Sequence, residues 1–137
     1  QISTMKFLLV LLMTMLTVSG WPWTFEVDVT VEGTLKCDRP FYARVMLLEI
    51  DDLNPDDDIG SPQEFQPKAG QLTANYKISG KAADDFSSEV EPELVIEHTC
   101  GIDCTRPDWS KRFCNKFLCK RFDTGKDLHA TVNVDLT

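Results

Sequence analysis

Three segments of the chain alternate strictly between apolar and polar residues. A period of two places successive side chains on opposite faces of a β-sheet. The alternation therefore predicts half-buried antiparallel strands, each with one face on a core and one face in water. The apolar positions are Phe25, Val27, Val29, Val31, Leu35 and Cys37 in the first segment, Leu72, Ala74, Tyr76 and Ile78 in the second, and Leu128, Ala130, Val132, Val134 and Leu136 in the third.

Two further segments are apolar on both faces. Residues 41–50 are almost continuously apolar, and residues 94–96 form a short apolar run between glutamates. Such segments are typical of central strands. Stretches rich in Gly, Pro and Asp at 51–62, 66–70 and 80–92 separate the predicted strands. Strands at this spacing favour one all-β domain, folded as a two-sheet β-sandwich.

Residues 108–122 have a pattern that fits two structures. Trp109, Phe113 and Phe117 recur every fourth residue, which indicates one face of a helix. Phe113 and Phe117 would also share one face of a strand, because their spacing is even. The periodicity leaves helix and strand both open here.

The first residues have the features of a secretory signal. Lys6 follows Met5, an apolar run of twelve residues covers 7–18, and small residues lead to Gly20. A positive start, a short apolar core and a small-residue cleavage site are typical of such a signal. The run is shorter than the roughly 20 residues that a membrane-spanning helix needs.

The chain is therefore predicted to divide into three parts. Residues 1–4 are expected to be a non-native leader, residues 5–20 a signal peptide, and residues 21–137 the β-sandwich domain. We expect a mature protein that begins at or near Trp21 and is secreted to the extracellular space. It is not expected to be an integral membrane protein.

Every cysteine lies in the predicted mature part. In an oxidising compartment, disulfides are the default interpretation. The spacings do not match the usual C-x2-C pairs of a zinc site, so no metal is predicted. Five thiols form at most two internal disulfides, and of the open pairings we favour Cys37 joined to Cys100 or Cys104, which ties the first strand to a core strand. The candidates are Cys37, Cys100, Cys104, Cys114 and Cys119.

Residues 51–58 form an acidic turn with five aspartates. Carboxylate oxygens are the ligands that calcium prefers, so the turn is a candidate cation site. It lacks the alternating ligand spacing and the central glycine of an EF-hand loop. A solvated, self-repelling turn is the better interpretation, and no cofactor is expected.

Charge is distributed unevenly along the chain. The sequence holds 14 Lys and Arg against 22 Asp and Glu, and removal of Lys6 with the predicted signal leaves a net charge of −9. This balance argues against general nucleic-acid binding. Residues 106–126 are the exception, with seven basic residues against two aspartates and with aromatic residues interleaved.

The basic segment has two interpretations. It could bind an anionic partner, such as lipid headgroups or an acidic protein surface. It could also be an ordinary element whose aromatic residues are in the core and whose Lys and Arg are solvated. Arg112, Lys116 and Lys120 would share a face in a strand or a helix, with Lys111 and Arg121 as further candidates for binding.

Several motifs occur in an order that resembles a known family. Residues 29–37 end in Gly, Leu and Cys, residues 45–51 end in an acidic pair, and residues 92–100 read Pro-Glu-Leu-Val-Ile-Glu-His-Thr-Cys. Residues 73–80 and 133–136 add a Thr-to-Gly strand and a closing Asn-Val-Asp-Leu. Together they resemble the secreted transthyretin-like proteins of nematodes, over about residues 27–136.

The resemblance implies a fold more than a function. It implies a transthyretin-like (prealbumin-type, immunoglobulin-like) two-sheet β-sandwich of seven to eight strands. The chain departs from the family pattern in a shorter loop after Cys100 and in two additional cysteines, Cys114 and Cys119. Fold alone does not fix function.

The candidate functions follow from the residues that could carry chemistry. His98 and His129 lie in different predicted strands without an obvious nucleophile, and His98 shares the core face of its strand. Hydroxyisourate hydrolase, an enzyme of this superfold, ends in Tyr-Arg-Gly-Ser, whereas residues 134–137 are Val-Asp-Leu-Thr. We therefore expect a secreted binding or adaptor protein that engages a protein or an anionic lipid surface. A carrier of a small apolar ligand at a subunit interface is the alternative, and a hydrolase is the third.

Overall fold

The computed structural model describes residues 24–50, 56–85, 88–101 and 116–137. These residues form two β-sheets in a sandwich-like arrangement, which confirms the all-β prediction. The predicted leader and signal peptide lie outside them. The strands are β1 Thr24–Lys36, β2 Ala43–Glu49, β3 Asp57–Asp58, β4 Gln63–Phe65, β5 Thr73–Asp85, β6 Pro92–His98, β7 Lys116–Arg121, β8 Leu128–Thr131 and β9 Val134–Asp135.

Sheet A is built around β1. Its order is β5-β1-β8, and β9 also pairs with β1. β5 is antiparallel to β1 along all 13 residues, whereas β8 and β9 run parallel to β1. The prediction of an antiparallel strand for the third alternating segment is therefore wrong. An alternating pattern indicates which face of the sheet each side chain occupies, but the pattern is the same in parallel and antiparallel strands.

Sheet B has the order β3-β2-β6-β7, and β4 also pairs with β2. All of its pairings are antiparallel. β2 and β6 lie in the centre, as their apolar faces predict. β7 shows that residues 116–121 are a strand, while residues 108–115 lie outside the described part of the chain.

Two predicted turn regions contain strand. β5 continues past Gly80 to Asp85, so the prediction of a turn over 80–92 is wrong for its first residues. Gly80 marks a close backbone approach here: a Cβ on Gly80 would crowd the backbone nitrogen of Gly60. β3 likewise lies inside the predicted turn 51–62.

The core lies between the inner faces of the two sheets. The predicted inward positions of β1 are buried except Phe25, which is half-buried, and β2 and β6 are buried at alternate positions. In the third alternating segment, Leu128, Ala130 and Val134 are half-buried. Leu72 differs from the prediction, since 42% of it is exposed. The buried apolar residues include Val27, Val29, Val31, Leu35, Val45, Leu47, Ala74, Tyr76, Ile78, Leu94, Ile96, Val132 and Leu136.

A disulfide joins the two sheets. Cys37 follows β1 of sheet A, Cys100 follows β6 of sheet B, and their Cα atoms are 6.0 Å apart. Both residues are buried. Of the two pairings favoured from the sequence, Cys37 with Cys100 or Cys37 with Cys104, the structure contains the first.

One carbonyl of the β8–β9 segment turns into the core. The Tyr76 hydroxyl donates to the Val132 oxygen at 2.7 Å, and a Cβ on Gly33 would overlap that oxygen. An uninterrupted parallel ladder would offer the Thr34 N–H a main-chain carbonyl. Instead the Asn133 side-chain oxygen accepts that hydrogen bond at 3.0 Å. Gly33 is therefore required because its missing side chain makes room for the turned carbonyl.

Tyr76→Phe should destabilise the protein by about 1–3 kcal/mol at pH 7, because it leaves a buried carbonyl without its donor. Burial raises the pKa of the Tyr76 phenol from 10.0 to about 12. Between these values the unfolded chain loses the phenolic proton first, so Tyr76 should lower stability by about 2–3 kcal/mol as the pH rises from 10 to 12. Urea unfolding of both proteins at pH 7, 10 and 12 tests this. If Tyr76→Phe loses as much unfolding free energy between pH 10 and 12 as the parent protein does, the loss does not come from Tyr76.

The double variant Cys37→Ala, Cys100→Ala should lose about 4 kcal/mol of unfolding free energy. The disulfide closes a loop of 63 residues, and chain-entropy arguments give this magnitude for such a loop. Chemical denaturation under non-reducing conditions measures the difference. Cys119→Ala is the matched control, because Cys119 is an exposed free thiol. A double variant as stable as this control would show that the disulfide does not hold the sheets together.

Candidate interaction surface

The outer face of sheet A is polar and internally paired. Glutamates, aspartates and lysines alternate across β1 and β5, and Thr30 shares a hydrogen bond of 2.9 Å with Ser79. Exposed ion pairs of this kind contribute little to stability, but they leave little apolar area for a partner. The ion pairs are Lys81–Glu26 (2.8 Å), Lys81–Asp28 (3.5 Å), Lys77–Glu32 (3.3 Å) and Lys36–Asp135 (4.0 Å).

The outer face of sheet B is different, because its centre is apolar. Met46 pairs with Val95 in the sheet, and Val95 pairs in turn with Cys119. Leu48 and Phe117 lie in the two flanking rows. Phe117 is 63% exposed, while Met46, Leu48 and Val95 are half-buried. We call these five residues the sheet B apolar face.

Charges of both signs border the sheet B apolar face. Arg121 lies 3.4 Å from a Glu93 carboxylate oxygen and 3.6 Å from one of Glu91. Arg44 lies 3.6 Å from Glu64 in the row that also contains Glu97 and Phe117. An apolar centre with a charged rim is the usual composition of a protein–protein interface.

The predicted basic segment is only partly described. Lys111 and Arg112 lie outside the described residues. Lys116 is the first residue of β7, and Lys120 and Arg121 lie on opposite faces of the strand, with Arg121 on the outer one. The Lys120 ammonium is 5.6 Å from the centre of the Phe122 ring, and Lys120 is exposed. The candidate cations are therefore split between the two faces of β7.

The two histidines lie in different sheets. His98 is buried at the end of β6, as predicted for a core imidazole. His129 is exposed on β8, with Nε2 3.1 Å from Glu32 Oε1. The hydrogen bond from His129, followed by that from Lys77, holds the pKa of Glu32 below its usual value. This polar cluster belongs to the outer face of sheet A.

Among the described cysteines, the one outside the disulfide lies on the sheet B apolar face. Cys119 is exposed, and its pKa is raised by partial desolvation and then by the hydrogen bond and charge of Glu93. A raised pKa keeps the thiol protonated and lowers its reactivity at neutral pH. Cys104 and Cys114 lie outside the described residues.

Two candidate metal sites can be compared with the structure. The sulfur atoms of Cys37 and Cys100 lie within 4.8 Å of an Asp38 oxygen, but both sulfurs are joined in the disulfide and offer no thiolate. In the acidic turn, Asp56, Asp57 and Asp58 are exposed, and residues 51–55 lie outside the described residues. The described part of the turn has the solvated character that its sequence predicts.

Sequence reasoning missed the sheet B apolar face. The signal was present in residues 41–50 and 94–96, which are apolar on both faces of their strands. This pattern predicts central strands. It also means that a second apolar face exists, and in the described structure no second layer of strands covers it.

Comparisons with protein-family models, curated proteins and solved structures found no match. In the part of the chain that the structure describes, no helix has the length and apolar character to cross a membrane.

Proposed function

We propose that this chain is a secreted binding protein with a transthyretin-like sandwich, and that it binds an extracellular protein through the sheet B apolar face. The exposure of Phe117 on this face is the observation that carries the proposal. A large aromatic side chain that is 63% exposed, with half-buried apolar neighbours, forms the kind of patch that marks an interaction site.

The contrast between the two outer faces supports this choice. The outer face of sheet A consists of charged and hydroxyl side chains that bind each other. The outer face of sheet B exposes apolar area, which gains free energy when a partner removes it from water. Aromatic residues are enriched at protein–protein interfaces, and Phe117 is the aromatic residue of this face.

The disulfide and the resemblance support secretion and the finer fold. A buried Cys37–Cys100 disulfide is compatible with an oxidising, extracellular compartment. The motif at 29–37 lies in β1 and ends at one cysteine of this disulfide. The motif at 92–100 covers β6 and ends at the other. The two segments most similar to transthyretin-like proteins thus meet at one inter-sheet link.

A protein partner fits the rim charges better than a membrane does. Arg121 lies beside Glu91 and Glu93, and Arg44 lies beside Glu64, while Glu97 is in the same row as Arg44. Four carboxylates thus face two guanidinium groups. An anionic lipid surface would be repelled by these carboxylates. A protein can instead match charges of both signs.

Phe117→Ser should weaken binding to the partner by about tenfold to a hundredfold, because the burial of a phenylalanine contributes about 1.5–3 kcal/mol. Leu72→Ser is the matched control, since Leu72 is an exposed apolar residue in the loop before β5. Mature oxidised protein is screened against displayed extracellular domains, and the affinity of each hit is measured with both variants. Hits that all tolerate Phe117→Ser would contradict the proposal.

Anionic lipid is a second candidate, which the exposed Lys120 on the other face of β7 favours. If it is correct, Arg112→Glu, Lys116→Glu and Lys120→Glu together should abolish binding to phosphatidylserine vesicles at low salt, since each cation near an anionic membrane contributes about 1 kcal/mol. Lys36→Glu, Lys68→Glu and Lys77→Glu together give an equal change in net charge away from β7. Co-sedimentation measures both. Equal loss in the two triple variants, or no binding by the parent protein, would exclude a β7 lipid site.

A further inference from the structure

The fold closes one sheet edge with a side chain. On β5, the edge strand of sheet A, the Gln63 amide donates to the Lys77 carbonyl at 2.9 Å, and the Lys77 N–H donates to the Gln63 side-chain oxygen at 3.1 Å. Gly60 and Gly80 bring the loop before Gln63 close against the same edge. Gln63 thus occupies the hydrogen-bonding positions that a neighbouring strand would use, and closed edges resist further pairing.

β7 differs from β5 in this respect. Among the described strands, sheet B ends at β7. The Phe122 N–H donates to the Pro92 carbonyl at 2.8 Å, which sets the phase of the β6–β7 ladder. In an antiparallel pair, alternate residues direct their N–H and C=O groups toward the partner strand. Phe117, Cys119 and Arg121 are in the other phase, so their main-chain groups point away from β6.

The side chains along this edge define what could pair with it. β7 contains no acidic residue, in a chain whose net charge is −8, and of its three basic residues Arg121 is already paired with Glu91 and Glu93. Its outer face presents Phe117 and Cys119. Lys120 is exposed on the other face, and position 116 has the same strand phase. A complementary strand carries acidic residues opposite positions 116 and 120 and apolar residues between them.

We propose that the edge of β7 binds an extended acidic segment of a partner protein, which adds to sheet B as a further strand. Main-chain hydrogen bonds supply affinity in this mode, and alternate side chains supply specificity. The inference deepens the proposed function, because it assigns the chemistry of the partner beside Phe117. It does not follow from that function, since a partner could cover the sheet B apolar face without pairing with β7.

A fluorescein-labelled peptide with two glutamates flanking three valines is the probe, and fluorescence anisotropy against the full chain measures its binding. Cys119→Pro removes an edge N–H without touching the ladder to β6, so the peptide should bind more than about tenfold more weakly. Cys119→Ser keeps that N–H and should weaken binding less. Circular dichroism and thermal unfolding verify that both variants keep the fold.

N-methylation of the peptide provides a second test, which leaves the protein unchanged. In the proposed register the first and third valine nitrogens face β7, and the middle one faces away. Methylation of the first and third should abolish binding, whereas methylation of the middle nitrogen should be tolerated. If both methylated peptides bind equally, the peptide does not add as a strand.

The remaining outcomes separate this inference from the proposed function. A partner that depends on Phe117 but tolerates Cys119→Pro would leave the function standing and overturn the strand addition. No saturable binding of the peptide to the parent protein would also overturn it. A parent dimer that Cys119→Pro dissociates would show that a second copy occupies the edge. Binding only to phosphatidylserine vesicles would replace the peptide with lipid.

Discussion

The antiparallel pairing of β1 with β5 is the interaction on which the rest of the sandwich depends. It runs along 13 residues, and it fixes the direction of the inward side chains of both strands. β8 and β9 pair with the opposite edge of β1, so β1 is the central strand of the sheet. Cys37 then extends the constraint to sheet B through the bond to Cys100. A displacement of β1 by one residue would disturb both sheets, because it would turn its valines toward water.

The sequence predicts the inner faces well, because a period of two is a direct result of strand geometry. It does not predict strand direction, and the parallel pairing of β8 depends on contacts between residues about a hundred positions apart. The reason for Gly80 was also hidden: glycine usually indicates a turn, but Gly80 lies within β5, where a Cβ would crowd the backbone of Gly60. The even spacing of Phe113 and Phe117 fits helix and strand equally, so only the neighbouring strand β6 determines the conformation of β7.

The candidate surface was harder to predict than the fold. The unusual charge of residues 106–126 drew attention to the cations. In the structure, Arg121 is held by two glutamates, and Lys120 lies on the other face of β7. What defines the surface is the apolar character of residues 46, 48 and 95, which a linear sequence shows only as surplus hydrophobicity in central strands. These additional apolar residues are covered only if the fold has a further layer over that face of the sheet. A local sequence pattern does not show how many layers the fold has.

The parallel pairing of β1 with β8 and β9 also affects how the protein is made. The Asp28 N–H donates to an Asp127 carboxylate oxygen, and the Thr34 N–H donates to the Asn133 side-chain oxygen. Each acceptor lies 99 positions later in the chain. During synthesis, one edge of β1 therefore stays unsatisfied until residues 127–135 have been added. Pairings this distant in sequence fold slowly and expose strand edges in the meantime. Cys37 and Cys100 can join before that point, so oxidation would hold the unfinished sandwich together while its final strands arrive.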